Sequence, residues 1–452
     1  MKLKLYKILG IFLVLSMFTV SCEQWIDSEM NEDPDALTDV SMKSLITNSQ
    51  LSLFFVVGDA DMTGYTGSWT QHLRGSDRQF LAIFNYNITP TDLNNLWSGM
   101  YEDNLEILQI VKEKATERSS PHYSGVAKVL EAVTLGYLTD FFGAIPYSDA
   151  FKGLEGNFQP EYDSQEQIYG TINTLLTEAI SELNTPAGEN EIALSGDMVY
   201  ENDVDKWIKI AHSLRARYNM HLTEIDGIDF GGVITDLNNG ISTNSEDFQL
   251  PFMSDLAHAN PMHQFINERS GYISDNDFFQ NFIEGDPRQS ELFYVTSEGE
   301  TGFWYSATSP VALMEYAEAM YLKAEAQYRN NNEDGARESL KTAIDASLLK
   351  LGVEDETWQD SVETAIDGYS GEALMEEIME QKYIHMFSNP PIAYVDFRRT
   401  GYPDELTPQV GNEFPDRFPY PSDEIELNNN VSNEDWGSIF NNLWMDPNDE
   451  EK

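Results

Sequence analysis

The chain has 452 residues, 41% of them hydrophobic and 12% aromatic, so it has ample material for a large buried core. Its 77 acidic against 27 basic residues give a formal net charge of −50. Such a surface repels phosphate backbones and anionic lipid headgroups, which excludes nucleic acid as a partner and leaves any membrane attachment to some means other than basic patches.

At the N-terminus, Lys2, Lys4 and Lys7 precede the uncharged apolar run Ile8 to Val20 and the small residue Ser21. The run is shorter than the roughly 20 residues a membrane span needs, and the pattern is that of an export signal. Directly after it stands Cys22, the only cysteine. A lone cysteine forms no intramolecular disulfide and no thiolate metal cluster, and an unpaired exposed thiol in an exported chain is an oxidation liability. The stretch "TVSC" resembles a bacterial lipobox, with Thr19 where Leu is usual. The expectation is a signal peptide over 1–21, acylation of Cys22, and a mature lipid-anchored domain over 22–452. No Pro-rich, Gly/Ser-rich or low-complexity linker divides that mature body, although roughly 430 residues at about 150 per domain would allow two or three.

Amphipathic helices follow in order. Val126, Val129, Leu130, Val133, Tyr137 and Phe141 keep an i, i+3, i+4, i+7 rhythm, as do Ile168, Ile172, Leu175, Leu176, Ala179 and Leu183, and then Trp207, Ile210, Ala211, Leu214 and Tyr218. From Met314 to Ile344 two helical patterns flank an Asn/Gly-rich turn. Ala324, Ala336, Leu340 and Ala343 there fall at tetratricopeptide-like separations. Helical hairpins of this kind stack on their neighbours to bury their faces, which predicts a short α-solenoid. Residues 58–92 and 226–310 are rich in Gly, Asn, Asp, Ser and aromatics and read as long functional loops with short strands.

The chemistry of catalysis and metals leaves little trace. Among 77 carboxylates no glycosidase pair can be singled out, and there is no GxSxG motif. "DADMTG" (Asp59 to Gly64) opens like a calcium loop, but its twelfth position is Thr70 rather than a bidentate Glu. Asp275 and Asp277 share that weakness, and His258 and His263 lack the context of a zinc site. The chain is therefore expected to use no catalytic residue, metal or cofactor.

Sugar rings present apolar C–H faces that stack on Trp and Tyr, with hydroxyls for Asn, Asp, Gln and Arg. On that chemistry the candidate ligand contacts are Trp304 with Phe303 and Tyr305 in "ETGFWYSATS", then Trp69, Gln71 and Arg74 in "GSWTQHLRGS". Core packing is the competing use of each aromatic. Trp97 shares a helical stripe with Tyr101, which reads as core.

Five segments in order, "YLTDFFGAIPYSDAF" (Tyr137 to Phe151), "DKWIKIAHSLRARYNMHL" (Asp205 to Leu222), "YLKAEAQYR" (Tyr321 to Arg329), "QKYIHMF" with "VDFRRTGYP" (Gln381 to Pro403), and "DRFPYPSDEIELN" (Asp416 to Asn428), resemble the SusD/RagB family of nutrient-binding outer-membrane lipoproteins. The resemblance implies a mainly helical scaffold of about four tetratricopeptide-like pairs, with irregular loops and small sheets carrying ligand contacts. It implies a non-enzymatic role: capture of an oligosaccharide, or in some members a peptide, and delivery to a SusC-like TonB-dependent barrel at the outer face of the outer membrane. It also implies that ligand contacts often lie near the start of the helix holding Trp97. A structural lid that binds no nutrient and a surface hydrolase are the alternative functions. Arg398 and Arg399 of "DFRRTGYP" are expected to hold scaffold joints, by pairing with Asp396 or with helix C-terminal carbonyls. Gly143 and Pro146 are expected to form a helix stop and turn.

Overall fold

In the helix Pro121–Phe142 every residue except Pro121 and Lys128 is buried. A helix buried around its whole circumference belongs at the centre of a fold, and this one packs between Glu106–Glu117 and Gln165–Leu183. The computed structural model describes residues 40–293, 302–431 and 438–446; the expected signal 1–21 and Cys22 lie outside the described residues. Residues from Met42 onward form one compact unit.

Beyond the central helix the scaffold continues as expected. Gln165–Leu183 starts at a capping box, in which Ser164 Oγ accepts from the Gln167 amide and Gln167 Oε1 accepts from the Ser164 amide. It packs on Val204–Met220, which in turn contacts Tyr316–Arg329. The last of these pairs with Glu333–Leu351, and Glu356–Gly368 and Glu372–His385 both pack on Glu333–Leu351. Ala324, Ala336, Leu340 and Ala343 are all fully buried between these helices. Their small side chains let the backbones approach, the use that tetratricopeptide spacing implies.

Buried ion pairs knit the pairs together. Arg217 is completely buried and forks onto Glu318 at 2.7 and 2.5 Å, with a further bond to the Leu313 carbonyl. Arg399 forks onto Glu325 at 2.5 and 2.6 Å and bonds Asp396 at 2.6 Å, while Lys382 lies 2.7 Å from the other Asp396 oxygen. Arg398 donates to the Asp140 carbonyl at 2.6 Å and to that of Asp416. Arg417 donates to the Phe142 carbonyl at 2.5 Å. The two arginines thus satisfy carbonyls in the last turn of the central helix that have no partner within it, and Gly143, at φ 77°, ends the helix where the sequence indicated.

The segments 58–92 and 226–310 differ from their reading as long loops. They hold the π-helical turn Ala60–Gly64 and the helices Tyr65–Trp69, Arg78–Phe84, Phe230–Asn239, Pro261–Glu268 and Asp277–Phe282. The polar residues that suggested loop are helix caps: Asp77 accepts from the Arg78 amide, Asn260 from Met262 and His263, and Asn276 from Phe278. Two small antiparallel sheets are present as expected, Leu73–Gly75 with Ile273–Asp275 and Phe248–Leu250 with Val311–Met314.

Candidate ligand groove

The aromatic residues singled out from the sequence mostly turn inward. Trp69 is fully buried, its indole N–H donating to the Ile83 carbonyl at 3.1 Å and its ring meeting Phe418 at 5.1 Å and Tyr394 at 5.5 Å. Gln71 is buried and donates to the Thr407 carbonyl at 2.7 Å. Trp304 is 3% exposed, with the Lys350 ammonium 5.5 Å from its ring centroid. Tyr305 is buried against Phe387. Phe303 is half-buried, and Arg74 is exposed, lying 5.6 Å over Phe84. In this arrangement Trp69 and Gln71 are enclosed in the core, and Trp304 and Tyr305 line only a small cleft of about 20 Å³. The rings among them gain more from burial than from solvent.

A different set of aromatics lines a groove of about 440 Å³, within the range of ligand pockets. Three segments distant in sequence build it. The first is the helix Asn94–Met100, which runs into a π-helical turn over Tyr101–Leu105, a local widening common at functional sites. Trp97 and Tyr101, four residues apart on one face, lie with ring centroids 4.7 Å apart and planes inclined 30°. Phe142 and Tyr420 meet Trp97 edge-on from behind, at 5.0 and 6.1 Å, and fix its plane. The Tyr101 hydroxyl donates to the Pro146 carbonyl at 2.7 Å. Burial, with the nearby Glu424 charge, pushes the Tyr101 pKa well above its ordinary value, so the hydroxyl remains a donor.

The second segment follows the Gly143 stop. Asp163 ties it down by accepting from the Tyr147 and Ser148 amides and the Ser148 hydroxyl, beside a backbone bridge to Ile145. Tyr147 donates to Glu131, the carboxylate that also receives Lys112, inside the helical core. Phe151 adopts a left-handed φ of 61° and its ring lies 6.3 Å from Tyr101. A bulky residue there stores strain of about 1–3 kcal/mol and marks a constrained site. Asp149 holds the following turn through Lys152 and Asn157, each at 2.8 Å. Phe158, at the end of that turn, is 77% exposed.

The third segment is the short helix Ser422–Leu427 and the residues after it. Asn94 donates to Ser422 at 2.9 Å, and Asn428 donates to the Pro160 carbonyl at 3.0 Å and to Glu424 at 2.7 Å. Tyr162 also donates to Glu424, at 2.8 Å. The result is a ring-walled channel with amide and carboxylate groups along its edges. The sequence reading placed Trp97 in the core and passed over Phe151 and Phe158; the signal it missed is the apolar Phe151, Leu154 and Phe158 in the Gly-rich turn "FKGLEGNFQP", where an apolar side chain has no core to enter.

A second cavity, of about 370 Å³, is lined by Asp59, Asp61, Asp92, Glu268 and Arg269. Burial pushes Asp59 up to about 6 and raises Asp61. Asp59 caps the Ala60 amide at 2.7 Å rather than opening a calcium loop, and among the described residues no group of three or more His, Cys, Asp or Glu side chains could hold a metal. His258 pairs with Asp255, and His263 bonds the Tyr305 carbonyl.

Comparison with known proteins matches the family model for SusD-like proteins, described as "Starch-binding associating with outer membrane", over residues 34–304 and 300–421. Similar solved structures include a SusD/RagB family protein from Bacteroides thetaiotaomicron (24% identity, TM-score 0.75, covering 90% of this chain and 99% of that one). A chitin-binding protein (22%, 0.75, 90% and 100%) and a chitin-binding SusD homolog from Flavobacterium johnsoniae (19%, 0.71, 90% and 97%) are also similar. At these identities the likeness shows the fold. No curated protein matches the sequence.

Proposed function

The chain belongs to the SusD-like family, associated with the outer membrane, and from that premise we propose that it captures an oligosaccharide in the Trp97 groove. The observation that carries this reading is the run of accessible rings Trp97, Tyr101, Phe151 and Phe158 along one channel. Stacking on flat rings suits the apolar faces of sugars, and Asn94, Asn428 and the bordering carboxylates supply partners for their hydroxyls. The ligand contacts are thereby assigned to this groove rather than to Trp304, Tyr305, Trp69 and Gln71; exposed Arg74 and half-buried Phe303 are left without a role in it.

No turnover is proposed. The chain is a binding protein, and its captured sugar passes to a SusC-like TonB-dependent barrel. Attachment is through acyl chains on Cys22, with the domain on the outer face of the membrane. The names of two similar structures, both chitin-binding, support a β-linked glycan as the first ligand to try.

Calorimetry of the protein against chitin- and starch-derived oligosaccharides tests the reading. Saturable binding that is lost in both Trp97→Ala and Phe158→Ala, without product formation, supports it. Binding that persists in both variants, or cleavage of the sugar, contradicts it.

A further inference from the structure

The groove is not electrically neutral. Glu102, Glu106, Asp423 and Glu424 all line it, and no Lys, Arg or His does. None of these four carboxylates takes part in an ion pair among the described residues; Glu424 is held by two neutral donors, Tyr162 and Asn428. Cations close by in sequence or space are committed elsewhere. Lys152, next to Phe151, is held by Asp149 at 2.8 Å. Arg417 is buried, 4.8 Å over the Tyr420 ring behind Trp97, and spends its guanidinium on the Phe142 carbonyl.

An uncompensated row of carboxylates beside aromatic faces has a definite chemical preference. A uronate or sulfate group in the channel meets only like charge, with no guanidinium fork to receive it, and like-charge juxtaposition is the means by which sites reject wrong ligands. A protonated sugar amine meets the reverse: carboxylates to accept its N–H donors, and the faces of Trp97 and Tyr101 for a cation–π contact. The protein as a whole, at a formal −50, extends the same field outward.

We infer that the groove selects glycans by charge, taking amine-bearing sugars most tightly, neutral ones less so, and excluding uronic and sulfated ones. This rests on the reading of the groove as an oligosaccharide site. The four carboxylates act as a selectivity filter laid along a stacking platform. Glu102 and Glu106, both exposed and four residues apart across the π-helical turn, are the pair to change without disturbing the core.

The test is calorimetry of the full chain, purified in detergent, with three hexamers of matched length: chitohexaose, its fully deacetylated glucosamine counterpart, and hexagalacturonate. At low salt the amine-bearing hexamer is expected to bind about 3–10-fold tighter than the neutral one, and the uronate at least about 10-fold weaker. The amine advantage should shrink at 0.5 M salt, where charges are screened beyond about 4 Å. In the double variant Glu102→Gln with Glu106→Gln, the ratio of amine-bearing to neutral affinity should fall to within about twofold of one, whatever loss of hydroxyl contacts the two hexamers share. Uronate binding that equals the neutral hexamer and disappears in Trp97→Ala overturns the charge filter and leaves the groove assignment standing. A neutral hexamer that outcompetes the amine-bearing one overturns the ranking. Failure of all three hexamers to bind, or binding indifferent to Trp97→Ala, overturns the groove assignment and this inference with it.

Discussion

Trp97 and Tyr101 stand one helical turn apart with ring centroids 4.7 Å from each other, and the Tyr101 hydroxyl is tied to the Pro146 carbonyl across the groove. The pair joins a stacking surface to the loop that forms its opposite wall. Tyr101→Phe keeps the ring and removes the tie. Its expected effect is a stability loss of about 1 kcal/mol, read by chemical denaturation, with a smaller loss of sugar affinity than Trp97→Ala. The latter removes a central ring and should weaken binding by about 2–4 kcal/mol, the scale of interface anchors.

Phe151 allows affinity and stability to be pulled apart. Its left-handed backbone, at φ 61°, suits glycine. Phe151→Gly relieves that strain and deletes a half-exposed wall of the groove. Thermal unfolding should show stability unchanged or raised by up to about 1 kcal/mol, while titration shows weaker sugar binding. A marked drop in stability would mean that the Phe151 ring is a packing element instead.

Arg399 provides a prediction about the scaffold. Its guanidinium is buried between Glu325 and Asp396. Arg399→Ala leaves buried Glu325 and Asp396 with only Arg329 and Lys382 beside them and should cost about 3–5 kcal/mol. The double variant Arg399→Met with Glu325→Gln removes both charges and should recover part of that loss. Circular dichroism melts of the two variants decide the matter: a double variant less stable than the single one would contradict the pairing.

Acid should unfold the protein in a definite window. The buried Glu325 is held down to about 2, against burial, by the charges of Arg399 and Arg329, below an ordinary value of 4.5. A lowered folded-state pKa means stability that is fully present above pH 4.5 and lost as pH falls towards 2, worth about 3 kcal/mol. Burial likewise lowers His72, stacked 4.3 Å from Tyr383, from 6.5 to about 3. Its contribution is full above pH 6.5 and declines as pH falls towards 3. Asp59, raised by burial to about 6, acts in the opposite sense over the same range, so the His72 part is read as a difference: the stability of the wild type relative to His72→Gln should decline from about pH 6.5 downward. A difference between wild type and His72→Gln that stays flat between pH 6.5 and 4 would contradict the assignment to His72.

Mass spectrometry of protein extracted from membranes should find a mature N-terminus at Cys22 carrying acyl chains. An unmodified Cys22, or cleavage elsewhere, would remove the anchor from the account.

The scaffold was legible because helical periodicity is a local signal. Val129, Leu130 and Val133, or Ala336, Leu340 and Ala343, announce their burial by spacing alone, and all are buried. The roles of Arg398 and Arg399 were legible too, since a cation in so acidic and well-packed a chain goes to a carboxylate or an open carbonyl. The groove was not. Trp304 and Trp97 both sit in polar, Gly-flanked surroundings, and their fates depend on contacts no local pattern carries: Trp304 lies beneath Lys350, whereas Trp97 is backed by Phe142 and Tyr420 with one face left to the channel. Nor does sequence show that Asp423 and Glu424 face Glu102 and Glu106, because more than 300 residues separate the two pairs along the chain.

The most direct test of the central claim is a crystal structure of the protein soaked with the tightest-binding hexamer. The account predicts sugar rings lying on Trp97 and Tyr101 and extending past Phe158, with hydroxyls or amines directed at Glu102, Glu424 and Asn428. A sugar bound elsewhere, with this groove left to solvent at full ligand occupancy, would contradict it.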